Sequence, residues 1–233
     1  MTIQIIKSFH IEAAYKAYEA DGSYRFKGNS YRIDLVAEGE IDPSNGWVVD
    51  YAELKQYFEP IRSALDHCCL SDIPGLEEDC SVESLEAWIH ENLQSPRPRW
   101  FREVRVFPPE PSAFYVEKIP EEALSRLPER YRFRFAAAQS LPHLPEDHPC
   151  RVVHGHSYTV EFACSDTTGI EAAAHALFHE LHDRYLNEVE DLEQSTAERV
   201  VLWIWRFLKE GHLHPIVVGV QETPNNRCYY YGP

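Results

Sequence analysis

The residues of this chain best suited to chemistry stand close together, in Cys150-Arg151-Val152-Val153-His154-Gly155-His156. Histidines at i and i+2 of an extended segment point to the same side. Imidazoles presented this way can both reach one zinc ion, at about 2.0–2.1 Å from nitrogen to metal. The same pattern also suits two strand histidines that face solvent or a partner. The glycine between them lets another backbone approach closely. Cys150 lies just upstream, where a neighbouring cation would lower its pKa and make a thiolate. The other cysteines (Cys68, Cys69, Cys80, Cys164 and Cys228) form no paired C-x-x-C spacing and read as buried or free thiols.

Composition narrows what such a site could serve. The 233 residues carry 22 Lys and Arg against 38 Asp and Glu, a net charge of −16. That surface repels phosphate backbones and anionic lipids, so nucleic acid and membranes are poor partners. An anionic substrate could be held only by a local basic or metal-bearing site. No apolar run approaches the roughly 20 residues that span a bilayer, and the first ten residues lack the form of a signal peptide. The expectation is a soluble, cytoplasmic protein.

The elements that must position these residues occur twice. Ile11-Glu12-Ala13-Ala14-Tyr15 resembles Phe135-Ala136-Ala137-Ala138-Gln139 at an offset of 124, and Ser30-Tyr31 matches Ser157-Tyr158 at 127. Leu65-Asp66-His67 is matched by Leu181-His182-Asp183 at 116, and Trp88-Ile89 by Trp203-Ile204 at 115. Order is kept while offsets drift, as small loop insertions would cause. In the second copy, alternation predicts strands over about 131–138 and 157–163. Ile170, Ala174, Leu177, Phe178 and Leu181 mark a helix. Ser195 as N-cap with Glu198 at N3 opens another helix, and strands near 216–221 and 227–231 join through Pro224-Asn225-Asn226. The first copy reads likewise: strands over about 3–13 and 30–40, a helix capped by Asp50, a second helix from about 82 to 93, and strands near 102–107 and 113–117. The expectation is an α+β chain of two β-β-α-α-β-β modules, residues 1–118 and 130–233, joined by a linker over 119–129. Each module leaves sheet edges open, which predicts continuation of the sheet into a barrel in an oligomer.

Longer segments make a resemblance specific. Phe135 to Tyr158, F-A-A-A-Q-S-L-P-H-L-P-E-D-H-P-C-R-V-V-H-G-H-S-Y, is similar to the zinc and nucleophile segment of the 6-pyruvoyl-tetrahydropterin synthase and 6-carboxy-tetrahydropterin synthase family. Gly39-Glu40-Ile41-Asp42-Pro43, Gly46 to Lys55, and Leu65-Asp66-His67 through Asp72-Ile73-Pro74-Gly75-Leu76 resemble the family's middle. Val220-Gln221-Glu222-Thr223 resembles its pterin-anchoring Glu-Thr. The resemblance implies the T-fold, whose units assemble into barrels with sites between subunits. It also implies action on 7,8-dihydroneopterin triphosphate with zinc held by three histidines. G-W-V-V-D-Y-A-E-L-K and D-I-P-G-L look more like the carboxy branch, which feeds queuosine-type deazapurine synthesis.

Carried over by position, the resemblance splits between the copies. Cys150 takes the nucleophile position, His154 and His156 two metal positions, Glu222 the pterin anchor, and Thr196 a place near the pterin. The first copy has Ser23, Lys27 and Asn29 where the cysteine and paired histidines would stand. It does keep the family's Asp-His pair, as Asp66-His67, whereas the second copy reads His182-Asp183. The family brings that pair from a neighbouring subunit, so the two copies are expected to complement each other in one composite site. The pair also suits a helix end, and Thr196 a simple cap. The family's first zinc histidine is Gln139 here, whose amide oxygen is a weaker zinc ligand than imidazole; His143 and His148 are further candidates. Two functions follow as expectations. One is a zinc-dependent pterin lyase, a homo-oligomer such as a trimer of tandem chains; the alternative is a pterin-binding or structural protein without turnover.

Overall fold

Two 17-residue strands open the chain, β1 (Thr2–Tyr18) and β2 (Tyr24–Glu40), paired antiparallel from Thr2↔Glu40 to Tyr18↔Tyr24. The computed structural model describes residues 2–44, 46–109, 113–123, 125–224 and 226–233. Phe9, Ile11 and Ala13 on β1 and Tyr31, Ile33 and Leu35 on β2 alternate onto one sheet face and are buried there. Two helices cover that face. Helix α1 (Tyr51–Leu65) starts at Asp50, whose carboxylate accepts the Ala52 amide at 2.7 Å, and buries Leu54, Phe58, Ile61 and Leu65. Helix α2 (Val82–Asn92) is capped by Ser81 and buries Leu85 and Ile89. The two-residue β3 (Cys68–Cys69) runs parallel to β1, and β4 (Phe101–Phe107) pairs with β2, giving the order β3-β1-β2-β4.

The second copy builds a five-stranded sheet in the order β5-β6-β7-β8-β9. Its strands are β5 (Glu117–Ile119), β6 (Arg130–Gln139), β7 (His154–Cys164), β8 (Pro215–Thr223) and β9 (Asn226–Tyr230). Phe133, Phe135, Tyr158, Val160 and Phe162 form a core under α3 (Ile170–Leu181) and α4 (Ala197–Glu210). No helix among the described residues is long and apolar enough to cross a membrane.

Local expectations fail in two places. The strand expected at 113–117 does not close the first sheet; β5 pairs with β6 of the second, Glu117↔Arg132 to Ile119↔Arg130. Arg130 explains the attachment. Its guanidinium is 3% exposed, donates to Glu161 at 2.6 Å, and also reaches the Pro120 carbonyl and Glu122. A buried guanidinium needs such partners, so it fastens the connecting segment to the second sheet. Ser195 is not the N-cap of α4. It is buried and donates to Asn187 at 3.4 Å, while Thr196 holds the cap position and makes no capping hydrogen bond. Leu124 of the connecting segment and Asn225 of the last hairpin lie outside the described residues.

The copies meet through sheet faces turned away from their helices. Gly28 and Ser30 alternate with the core residues of β2, and Gly155 and Ser157 with those of β7. The Ser30 amide donates to Ser157 Oγ at 3.1 Å, and the Ser157 amide donates to Ser30 Oγ at 2.9 Å. A β-carbon on Gly155 would lie 2.0 Å from the Gly28 Cα, and one on Gly28 2.3 Å from the Ala137 carbonyl oxygen. Only glycine permits this approach, and the obstacle is backbone, which cannot rotate aside. Gly155→Ala is expected to lower the unfolding free energy by ~2–3 kcal/mol, the upper part of the overpacking range. The control Gly211→Ala, where the nearest atoms lie at 3.5 Å, should show no comparable loss. Urea unfolding of the two variants checks this; equal stabilities would show that the close crossing is not required.

Candidate functional site between the two repeats

The end of the β6–β7 ladder brings three side chains to one face. Gln139 pairs with His154 and Ala137 with His156, so Gln139, His154 and His156 face the same way. Their exposures are 1%, 0% and 2%. Glu222, on the neighbouring strand β8, accepts the Gln139 amide N–H at 2.8 Å and lies 3.6 Å from His156 Nε2. Cys150 sits on a short turn, Pro149–Arg151, with its amide donating to His148 Nδ1 at 3.2 Å.

The first repeat supplies the opposite wall. Asp66 ends α1, and His67 follows at φ 57°, a left-handed conformation uncommon outside glycine. Asp66 accepts the Glu12 amide at 3.0 Å and Arg62 at 2.8 Å, and lies 3.1 Å from His67 Nδ1. Its ring thus fixed, His67 lies 4.7 Å from the His154 ring, centroid to centroid. His67, Cys150 and His154 have ligand atoms all within 4.8 Å of one another. Hydrogen bonds to Asp66 and to Cys150 push the His67 pKa up to about 10, against an opposing effect of burial. Burial opposes ionisation of Asp66, but the hydrogen bonds from His67 and the Glu12 amide hold its carboxyl below the usual range.

His154 is held in the other state. Burial, and then its neighbour His156, push its pKa down to about 3, so the ring is neutral at physiological pH. Its Nδ1 donates to the Val152 carbonyl at 2.8 Å, which leaves Nε2 as an acceptor, 3.5 Å from the Gln139 amide nitrogen. The Nδ1 of His156 lies 2.8 Å from Glu12 Oε2, a carboxylate supplied by the first repeat. Outer partners that fix one ring nitrogen and free the other are what a metal site requires.

Gln139 adds a third donor, because its Oε1 is buried with no hydrogen-bond partner. The Gln139 amide nitrogen lies 3.5 Å from His154 Nε2, so an exchange of its amide ends would turn the orphaned oxygen toward that imidazole. His67, Cys150 and His154 form a donor group across the repeats, and Gln139 and His156 flank His154 within the second repeat. His143 and His148 are both exposed, and His148 is occupied in capping the Cys150 turn. Thr196 lines a cavity of about 330 Å³ together with His67, Gln139, Cys150, His156 and Glu222. Sequence reasoning missed Glu12. Its signal was a lone carboxylate in the apolar run Phe9 to Ala14, at a position that holds Ala136 in the other copy.

The corresponding positions of the other copy assemble differently. His182 Nδ1 accepts the Ala136 amide at 3.1 Å, as Asp66 accepts that of Glu12. Asp183 has φ 58°, close to the 57° of His67. Asp183 meets Lys27 at 2.5 Å, both half-buried. His182-Asp183 thus faces Lys27, and Asp66-His67 faces Cys150.

A tandem α+β chain with a histidine–cysteine site where its copies meet is the class of protein that the fold and site define. The model of the family described as 6-pyruvoyl tetrahydropterin synthase matches residues 4–116 and 130–233, and the chain belongs to that family, as two tandem copies. It is 38% identical over 74 residues to 6-pyruvoyl tetrahydrobiopterin synthase of Homo sapiens, 30% of this chain and 51% of that protein. The match thus spans about half the length of that relative. It is 33% identical over 118 residues to 6-carboxy-5,6,7,8-tetrahydropterin synthase of Synechocystis sp., 43% of this chain and 90% of that protein. Dihydroneopterin monophosphate aldolase of Pyrococcus furiosus is 28% identical over 98 residues, 42% of this chain and 81% of that protein. Among solved structures, Caenorhabditis elegans 6-pyruvoyl tetrahydropterin synthase covers 51% of this chain and 97% of its own, at 19% identity and a TM-score of 0.40.

Imidazole is a better zinc donor than an amide oxygen. Gln139→His is therefore expected to tighten zinc binding at least ~10-fold, measured by competition with a chromogenic chelator. Gln139→Leu should weaken it. Affinities indifferent to both changes would remove Gln139 from the metal site.

Proposed function

We propose that this chain is a zinc-dependent lyase of reduced pterins, acting on 7,8-dihydroneopterin triphosphate in the manner of a 6-carboxy-tetrahydropterin synthase. The observation that carries the reading is the meeting of Asp66-His67 from the first repeat with Cys150 and His154 of the second. A proton-relay pair and a thiol so placed serve acid–base chemistry on a bound carbon acid. In the same cavity Glu222 offers a carboxylate fork to the guanidine-like edge of a pterin, and Gln139 holds one of its oxygens. Thr196 flanks the ring position at the uncapped start of α4.

His154 and His156, with Gln139 as the third donor, would hold the zinc. When bound there, it supplies electrophilic polarisation of the substrate's side-chain oxygens. Cys150 as thiolate takes a proton from the carbon beside those oxygens. His67, held as imidazolium by Asp66, stabilises the thiolate and returns a proton to the departing fragment. Burial of His154 keeps it neutral and available as a ligand.

The open edges of the two sheets, β3 and β4 in one and β5 and β9 in the other, favour closure into a barrel by several copies, such as a trimer of tandem chains. Six free cysteines suit a reducing cytoplasm, and a queuosine-type pathway would use the carboxy product. The observation favouring a second reading, pterin binding without turnover, is the amide oxygen at Gln139 in place of an imidazole.

Incubation of the zinc-loaded protein with 7,8-dihydroneopterin triphosphate, followed by chromatography of the products, tests both. Turnover is expected, with kcat lower by ~100-fold or more in Cys150→Ala and His67→Gln. Glu222→Gln should act mainly on KM. A Cys150→Ala variant as active as the parent would end the thiol's role. Absent turnover with retained pterin binding would establish the second reading.

A further inference from the structure

Helix α3 carries a pair of histidines that the composite site does not use. His175 and His179 stand one turn apart on its exposed face, and their Nε2 atoms lie 3.3 Å from each other. Two nitrogens bound to one tetrahedral zinc ion, each at about 2.0–2.1 Å, are about 3.3–3.4 Å apart. The pair therefore already has the spacing of a zinc chelate. The i, i+4 interval is also the one with which helices hold zinc through two imidazoles. The two rings stand at 76° to each other with centroids 4.4 Å apart, and the His175 ring packs edge-on against Phe114 at 5.0 Å. Among the described residues, neither imidazole has an ion pair or a second hydrogen bond. In the metal-free protein one Nε2–H donates to the lone pair of the other ring. Zinc takes both lone pairs once the donating ring carries its proton on Nδ1 instead.

The pair belongs to the second copy and not to the shared framework. At the offset of 116 that relates Leu65 to Leu181, the same places on α1 hold Glu59 and Ser63. Those residues bond within their helix: Glu59 pairs with Arg62 at 2.6 Å, and Ser63 Oγ donates to Glu59 at 3.3 Å. Ala176 follows His175, where the hydrolytic H-E-x-x-H pattern has its general-base glutamate, so the pair is suited to holding a metal and not to activating its water. His182, three residues past His179, is already committed. Its Nδ1 accepts the Ala136 amide at 3.1 Å, and its ring stacks on Phe178 at 4.3 Å. Neither His175 nor His179 lines the cavity that holds Cys150 and Glu222.

We infer that His175 and His179 form a second metal site, on the exposed face of α3, which takes a zinc ion through both Nε2 atoms and leaves its other positions to water. Imidazole suits zinc, whereas magnesium and calcium demand oxygen donors, so the site discriminates against the commoner divalent cations. The net charge of −16 raises the concentration of cations near the surface. An ion held by residues four apart links two turns of α3 and binds only the folded helix, so it stabilises that helix.

The test is equilibrium dialysis of the metal-free protein against micromolar zinc in the presence of millimolar magnesium, with His175→Gln/His179→Gln and Cys150→Ala alongside. The parent is expected to hold one more zinc ion per chain than the double variant, and Cys150→Ala to keep that ion. His175→Gln or His179→Gln alone should weaken it at least ~10-fold, the smallest loss that removing even an outer partner of a zinc ligand brings. Zinc should also raise the melting temperature of the parent more than that of the double variant. Cobalt in place of zinc should give the visible bands of a tetrahedral ion, diminished in the double variant, while any thiolate band, which belongs to Cys150, stays unchanged. Equal zinc counts in parent and double variant would overturn the proposal, as would identical cobalt spectra. None of these readings depends on turnover, so the pterin reading is decided separately.

Discussion

The site depends on how closely strands β2 and β7 cross. At Gly28 and Gly155 the two backbones touch with no side chain between them, and the amides of Ser30 and Ser157 each find the other's hydroxyl. A buried amide left without a partner costs ~1–3 kcal/mol, so this exchange fixes the crossing point as well as the spacing. From that point Glu12, paired with Ser30 in the β1–β2 register, reaches His156 Nδ1 at 2.8 Å, and the end of α1 delivers Asp66 and His67 beside Cys150. A crossing wider by one methyl group would separate the relay from the thiol and the carboxylate from the imidazole.

Duplication gave each repeat the same framework, and the framework was then filled unequally. In both copies the residue after the helix cap adopts a left-handed turn, and in both the cap residue accepts the amide of a strand residue at a matching position. On one side His67 points toward His154 and Cys150. On the other Asp183 meets Lys27 in an ion pair. An ammonium paired with a carboxylate satisfies the charges of that pocket internally, and offers none of the bare nitrogens that the other side exposes. One copy became a support, and the donor groups between the repeats are concentrated in a single place.

Much of this was readable in residue spacing. The offsets of 124 and 127 fall on strand residues that do occupy equivalent places, such as Ser30 and Ser157, because strand pairing tolerates no slip without turning every side chain over. The H-G-H spacing put both imidazoles on one face, and its glycine proved to serve contact between repeats. Other features needed three dimensions. Glu12 is an unremarkable carboxylate until the second repeat lies against it. The orphaned oxygen of Gln139 is visible only once its amide nitrogen is seen to be committed to Glu222. Ser195 carried the local signal of a helix cap, yet burial beside Asn187 took its hydroxyl elsewhere. The strand at Glu117–Ile119 joined the second sheet because Arg130, a residue with no sequence signature, anchors the neighbouring chain to Glu161.

The central claim is that a histidine of the front repeat stands against a cysteine of the rear one. Histidine-selective NMR of the metal-free protein, titrated from pH 5 to 11, reads this contact without any assumption about substrate. The account predicts a His67 imidazolium that persists to about pH 10, held first by Asp66 and then by Cys150, and a clear downward shift of that titration in Cys150→Ala. A His67 ring that titrates near the ordinary histidine value, with no response to loss of the thiol, would contradict it.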